Sequence, residues 1–112
     1  MNFAQLRDYA LSLPETTEAP HFDYGSFRVK GKIFVTVPPD RKFVHVFVDP
    51  EQRDQAVALH PEHVEPLPWG KKILGVRVEL GPLKASFVQG LVRNAWLNKA
   101  PKTLARAFLA ER

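Results

Sequence analysis

The chain has 112 residues, of which 45% are hydrophobic and 25% charged, and it contains no cysteine. This composition predicts one folded domain, excludes disulfides and thiolate-ligated zinc, and favours a cytoplasmic location. The N-terminal segment contains Arg7 and Asp8 and has no continuous apolar run, so we expect neither a signal peptide nor a membrane span.

Positive charge is concentrated in the last part of the chain. Residues 1–70 contain 7 Lys or Arg and 10 Asp or Glu, a net charge of −3, whereas residues 71–112 contain 9 and 2, a net charge of +7. A basic segment of this kind suggests contact with an anionic partner such as nucleic acid. A solvated surface that only keeps the protein soluble explains the same pattern, and the sequence leaves both interpretations open.

The first predicted element is a helix over residues 3–13, where apolar residues recur at helical spacing. Asn2 and Gln5 form a capping-box pattern at its start, and Pro14 ends it. The next segment, residues 14–26, contains turn formers and acidic residues without a period. We therefore expect an ordered loop there that leads into a strand.

A period of two residues replaces the helical spacing in the next part of the chain. Apolar residues alternate with others in three segments separated by turns at Gly31 and Pro38–Asp40, namely residues 27–30, 32–37 and 43–49. The last segment places three valines on one face and Phe43, His45 and Phe47 on the other. The pattern predicts a meander of three antiparallel strands.

A second, short helix is predicted to start at Asp49, because Pro50 occupies the first helical position and Gln52 lies three residues after the cap. The proline-rich stretch that follows allows a brief extended segment around Val64. Residues 73–80 then alternate again and predict a further strand.

Two helices are predicted in the C-terminal part of the chain. Gly81–Pro82 opens the longest one, whose broad apolar stripe continues to about Leu97. The Ala100–Pro101 step ends it, because the residue before a proline disfavours helical geometry. Residues 102–111 form the last predicted helix.

The predicted element order is α-β-β-β-α-β(β)-α-α. This order predicts an α+β fold with a twisted, mostly antiparallel sheet and helices packed on one face. The sequence has no glycine-rich phosphate loop and no regular β-α alternation, which argues against a Rossmann or P-loop enzyme.

Three segments together carry a family resemblance that runs nearly end to end. They are LPETTEAPHFDYGSFRVKGKIFVTV (residues 13–37), GVRVEL (residues 75–80) and RNAWLNKAPKTLA (residues 93–105). With these segments the chain resembles the MmcQ/YjbR-like family of small bacterial proteins. The resemblance implies a single CyaY-like α+β domain over residues 1–112 and a function in DNA binding.

The histidines do not predict a metal or catalytic site. His60 and His63 have a proline between them and no third ligand nearby, which argues against zinc. His45 lies between Phe43 and Phe47 on one strand face and is interpreted as a packing residue.

An enzyme hypothesis would depend on His21, Asp23 and the acidic residues Glu15 and Glu18 that share their segment. A solvated acidic loop explains the same residues. We therefore predict no catalytic residue, no cofactor and no enzymatic activity.

Basic residues form the stronger candidate site. If helices cover one side of the sheet, strand alternation places several cations on its open face and others in nearby turns. Such residues could contact phosphates without sequence preference. The predicted nucleic-acid contacts are Arg28, Lys30, Lys71, Lys72 and Arg77. The alternative is that Arg28 and Lys30 pair with cross-strand carboxylates such as Glu79, and that Lys71–Lys72 is a hydrated turn.

Trp69 lies in a proline-rich segment before Gly70 and is either a buried anchor or an exposed contact for a partner. The second hypothesis is therefore a small interaction domain that binds a protein or an anionic small molecule on the open sheet face or near Trp69. Under the first hypothesis the partner is DNA, bound weakly and without sequence preference. We expect no membrane partner, and a monomer or weak dimer.

Overall fold

The computed structural model describes residues 1–111. Its helices are α1 (Phe3–Ser12), α2 (Pro50–Leu59), α3 (Ala85–Lys99) and α4 (Lys102–Ala110). Its strands are β1 (Thr16–His21), β2 (Tyr24–Val29), β3 (Lys32–Val37), β4 (Phe43–Val46), β5 (Val64–Trp69) and β6 (Lys72–Glu79). They form one sheet in the order β1-β2-β3-β4-β6-β5, with every neighbouring pair antiparallel. The predicted α+β class is confirmed.

Residues 14–26 were expected to form a loop, and this prediction is wrong. The segment contains β1 and the start of β2, which pair from Thr16 opposite Val29 to His21 opposite Tyr24. β1 is an edge strand with no fully buried side chain, so its sequence lacks the apolar alternation that marks a strand. Pro20 is tolerated because an edge strand has one unpaired side.

The predicted start of the longest helix at Gly81–Pro82 is also wrong. Residues 80–83 form a turn in which the Leu83 N–H donates to the Leu80 carbonyl at 3.1 Å, and α3 begins only at Ala85. The turn buries the Leu83 side chain. The extended segment around Val64 is a complete six-residue edge strand, β5, although it contains two prolines.

The hydrophobic core lies between the helices and one face of the sheet. The valines of β4 and β6 face this core, and α3 packs across β3 and β4. Trp96 of α3 is fully buried, and its Nε1–H donates to the Pro14 carbonyl at 3.0 Å. The opposite face of the sheet is left open, as predicted. No helix within residues 1–111 is long and apolar enough to cross a bilayer.

Two strands contain an extra residue that interrupts the pairing. Phe34 interrupts the β2–β3 register, and Leu74 interrupts the β5–β6 register. Bulges of this kind increase the local twist and bend a strand. Gly75, next to the second bulge, lies against the backbone of β4, where a Cβ atom would be 2.2 Å from the Val46 carbonyl oxygen and 2.9 Å from Phe47 Cα.

We expect Gly75→Ala to destabilise the protein by about 3 kcal/mol or more, because the clash is with backbone that cannot move without separating β4 from β6. Urea unfolding followed by circular dichroism measures this loss. Gly81→Ala is the matched control, since a Cβ there meets no atom within 4 Å, and its effect should stay within about 0.5 kcal/mol. Equal stability of the two variants would contradict the close approach of β6 to β4.

Candidate ligand-binding site

The open face of the sheet carries a cleft of about 700 Å³. We call it the sheet-face cleft. Most of its lining is apolar or aromatic, and its volume lies in the range of sites that hold small molecules. The lining residues are His21, Phe22, Asp23, Tyr24, Thr36, His45, Phe47, Leu67, Pro68, Trp69 and Leu74.

The cleft runs diagonally across the sheet. At one corner lies the β1–β2 turn, and at the other lies the tip of the β5–β6 hairpin, with Thr36 and His45 between them. The strand order places these two hairpins at opposite edges of the sheet, and the registers place their tips at opposite ends of the strands. Because a twisted sheet raises diagonally opposite corners towards the same side, its twist gives the open face its concave shape.

Large apolar side chains at both corners are exposed to solvent. Phe22 is 93% exposed and Trp69 is 73% exposed. Phe22 also has a backbone φ of +56°, a left-handed conformation that is unfavourable for a bulky residue. Backbone strain and exposed apolar surface are both energetically unfavourable in a folded protein, and both occur preferentially at functional sites.

A hydrogen-bonded polar pair lies on the floor of the cleft. The Thr36 hydroxyl and His45 Nδ1 are 3.2 Å apart, and the Tyr24 ring lies 5.9 Å from the His45 ring. His45 Nε2 has no hydrogen-bond partner among the described residues and is not buried, so it is available to a ligand. Neutral imidazole can donate or accept at this atom according to its tautomer.

His45 favours the neutral form. Burial lowers the pKa of its imidazole below 6.5, and the Arg77 guanidinium lowers this pKa further, while Asp40 opposes them. At neutral pH the cleft floor is therefore polar but uncharged.

Two of the predicted cations lie near the β1 edge of the sheet. The Arg28 guanidinium donates to Ser26 Oγ at 3.0 Å and to the Pro20 carbonyl at 3.2 Å. Lys30 does not project from a strand as predicted, because it occupies the β2–β3 turn with φ +48°. Its Nζ forms an ion pair with Glu15 at 3.3 Å.

Arg77 lies on the open face, where it already forms an ion pair and a cation–π contact within the protein. Its Nη1 is 3.2 Å from Glu65 Oε1, and its Cζ lies 3.6 Å from the centroid of the Phe43 ring. Three strand spacings separate Arg77 from Arg28, which corresponds to about 14 Å. Of the two cations predicted to pair with carboxylates, Lys30 does so, with Glu15, whereas Arg28 donates to a hydroxyl and a carbonyl. Glu79, the predicted partner, contacts His63 instead.

Lys71 and Lys72 are exposed at the tip of the β5–β6 hairpin and form no ion pair with any described residue. Lys72 is the direct cross-strand partner of Trp69, so the two side chains share one side of the sheet. Trp69, predicted as a partner contact, is thus at the rim of the cleft with cationic neighbours.

The structure does not gather the five predicted cations into one positive surface. Arg28 and Lys30 lie near one edge, Arg77 is paired, and the two hairpin lysines lie at the other corner. The remaining charge of the basic segment is on the helical side, because its other described cations belong to α3, α4 or the residue before α3. These are Lys84, Arg93, Lys99, Lys102 and Arg106.

The residues of the enzyme hypothesis do not all meet in one pocket, because Glu18 and Asp23 line a second, smaller pocket that His21 does not reach. Glu18 pairs with Arg7 at 2.8 Å, whereas His21 and Asp23 line the cleft without Glu18. His63 Nδ1 lies 2.9 Å from Glu79 Oε1, and the His60 ring packs against Phe87.

Most of the cleft was not predicted from the sequence. Strand alternation had placed His45 and Phe47 on the face opposite the valines, but we interpreted His45 as a packing residue. The sequence signal that could have identified the cleft was the row of rings, Phe43, His45 and Phe47, on the strand face opposite the valines. Phe22 gave no sequence signal, because its place depends on a left-handed turn. Strand alternation predicts Leu74 on the same face as Val76 and Val78, and this is wrong because the bulge at Leu74 shifts its side chain to the open face.

The fold and cleft define an α+β domain with an open-faced antiparallel sheet. The chain belongs to the YjbR family, whose model matches residues 11–98, a span that includes every cleft residue. The predicted family is thereby confirmed. The fold is similar to the crystal structure of Deinococcus radiodurans protein DR2400, a DUF419 domain, with a TM-score of 0.74 and 22% identity over 87% of this chain and 77% of that chain. No curated protein matches the sequence.

The lowered pKa of His45 predicts a pH-dependent stability. The unfolded chain takes up the proton near pH 6.5, above the pKa of the folded state. Stability should therefore be complete above pH 6.5 and fall as the pH drops from 6.5 through the folded pKa. An NMR titration of the His45 ring should give a midpoint below 6.5, and His45→Gln should flatten the loss of stability in this range. A midpoint at or above 6.5 would contradict the prediction.

Proposed function

We propose that this protein is a non-catalytic binding domain whose ligand is a small anionic molecule with an apolar body, held in the sheet-face cleft. The observation that carries the proposal is the clustering of exposed apolar side chains. Among the described residues, seven large hydrophobic side chains are exposed, and Phe22, Tyr24, Trp69 and Leu74 all line this one cleft. Contiguous exposed apolar surface marks binding sites.

The charge of the ligand follows from the hairpin lysines. Lys71 and Lys72 have no carboxylate partner among residues 1–111 and border the Trp69 corner of the cleft. An anionic group placed there gains an attraction that the paired Arg77 and Lys30 cannot offer.

The absence of catalysis is part of the proposal. Within the described chain, the hydrogen bond of His45 is to Thr36, and no carboxylate is hydrogen-bonded to its imidazole. In a catalytic triad, a third group such as a carboxylate orients the histidine, and the histidine in turn activates a nucleophile. The Thr36–His45 pair instead supplies a neutral hydrogen-bonding point.

The fluorescent anion 8-anilinonaphthalene-1-sulfonate is a direct probe of this site. Leu74→Asp should weaken its binding by roughly tenfold, because a carboxylate replaces apolar contact and repels the sulfonate. Leu109→Asp is the matched control, since Leu109 is exposed on α4 to a similar degree, 51% against 41% for Leu74. Titration at constant protein concentration, with folding checked by circular dichroism, measures both. Equal loss in the two variants, or no loss with Leu74→Asp, would reject the cleft as the site.

Nucleic-acid binding is the second candidate function. The observation in its favour is the combination of unpaired Lys71 and Lys72 with exposed Trp69 at one corner. Single-stranded nucleic acid is bound by cations that contact phosphates and by aromatic rings that stack on bases. This arrangement supports a single-stranded partner more than a broad contact with duplex DNA.

For this candidate we expect affinity for a fluorescent single-stranded oligonucleotide to fall steeply with salt. Replacing both Lys71 and Lys72 by alanine should reduce the slope of log K against log salt by about 1 to 2. Lys102→Ala with Arg106→Ala removes the same charge from α4 and should leave the slope unchanged. Weak binding with the same slope in all three proteins would reject nucleic acid as the partner.

A further inference from the structure

We infer that the ligand of the sheet-face cleft is a planar aromatic acid, whose ring packs against the aromatic side chains that line the cleft and whose acid group is directed towards Lys71 and Lys72. This inference rests on the proposed function and narrows the ligand from any apolar anion to a flat one. It also assigns a specific role to Phe22.

Ring-shaped side chains dominate the lining of the cleft. Six of the eleven lining residues carry an aromatic or imidazole ring, and they come from both corners and from the floor. They are His21, Phe22, Tyr24, His45, Phe47 and Trp69. Aromatic rings gain from offset-stacked and edge-to-face contacts with other rings beyond the burial of area alone. A cleft of this composition therefore favours a flat ring over a saturated body of equal hydrophobicity.

Among the aromatic and imidazole rings of the described residues, that of Phe22 contacts only the neighbouring His21 ring, with 4.9 Å between the centroids. The Phe22 side chain is 93% exposed, so it contributes little to the core, and its φ of +56° is unfavourable for a phenylalanine. Asparagine would occupy this left-handed position at a lower cost. A ring kept exposed at such a position is explained by contact with a ligand.

The charges at the two corners orient the ligand. Lys72 shares the side of the sheet on which Trp69 lies, whereas the Asp23 carboxylate lines the cleft at the Phe22 corner. An acid group is attracted at the first corner and repelled at the second. Between them, His45 Nε2 offers one hydrogen bond to a polar edge of the ring.

The test compares two acids of the same carbon skeleton by isothermal titration calorimetry. We expect 2-naphthoate to bind at least fivefold more tightly than decahydro-2-naphthoate, in which the same bicyclic body is saturated and not planar. Equal affinities would overturn the inference of planarity while leaving the proposed apolar anion site intact. Absence of binding by both acids, together with no effect of Leu74→Asp on the sulfonate probe, would overturn the proposed function as well.

Phe22→Asn separates the role of the ring from folding. This variant should leave the melting temperature unchanged or higher, because asparagine relieves the left-handed strain, and should weaken 2-naphthoate binding by roughly fivefold. Trp69→Ala should weaken it similarly, whereas Leu109→Ala, an exposed apolar residue on α4, should have no effect. Unchanged naphthoate affinity in Phe22→Asn would overturn the role of Phe22, and a lower melting temperature would show that its ring serves the fold.

Discussion

The structure depends on burial of a single face of an antiparallel sheet. In β4, Val44 and Val46 pack under α3, and the alternate residues Phe43 and His45 face away from every helix. Strand geometry makes this division unavoidable, since successive side chains point to opposite faces. The valine face stabilises the fold by removing apolar area from water. The other face does not contribute to this burial, and its exposed side chains include the aromatic and imidazole rings that line the cleft.

Twist and bulges turn this free face into a cleft. A flat sheet would spread its outward side chains over a plane, whereas twist raises the two diagonal corners. The bulge at Leu74 adds a bend in β6 just beyond its last pair with β4, Val76 opposite Val46. Gly75 permits the close approach of backbone on which this bend depends. The corner residues Phe22 and Trp69 owe their common site to this curvature, although they lie on hairpins at opposite edges of the sheet.

The parts of the fold that follow local rules were predictable from the sequence. Valine alternation predicted β3, β4 and β6, and capping patterns at Asn2 and Asp49 predicted the starts of α1 and α2. β1 was missed because a strand that buries nothing fully has no apolar period. The site was less predictable, since alternation gives the face of Arg77 correctly but cannot give its ion pair with Glu65. Ion pairs and sheet curvature depend on residues that are distant in the chain, and the local periodicity of the sequence does not predict such contacts.

Charge has a smaller role in this site than the composition suggested. Five of the eight described cations of the basic segment belong to α3, α4 or the residue before α3, on the far side of the molecule from the cleft. Exposed charges separated by more than about 8 Å are largely screened at physiological salt. Only charges next to the cleft can affect what enters it. Among the described cations named in this site, Arg77 and Lys30 are neutralised and Arg28 is occupied by the β1–β2 hairpin. Under the proposed function, affinity would therefore come mainly from the aromatic lining, and the lysines beside Trp69 would orient the ligand.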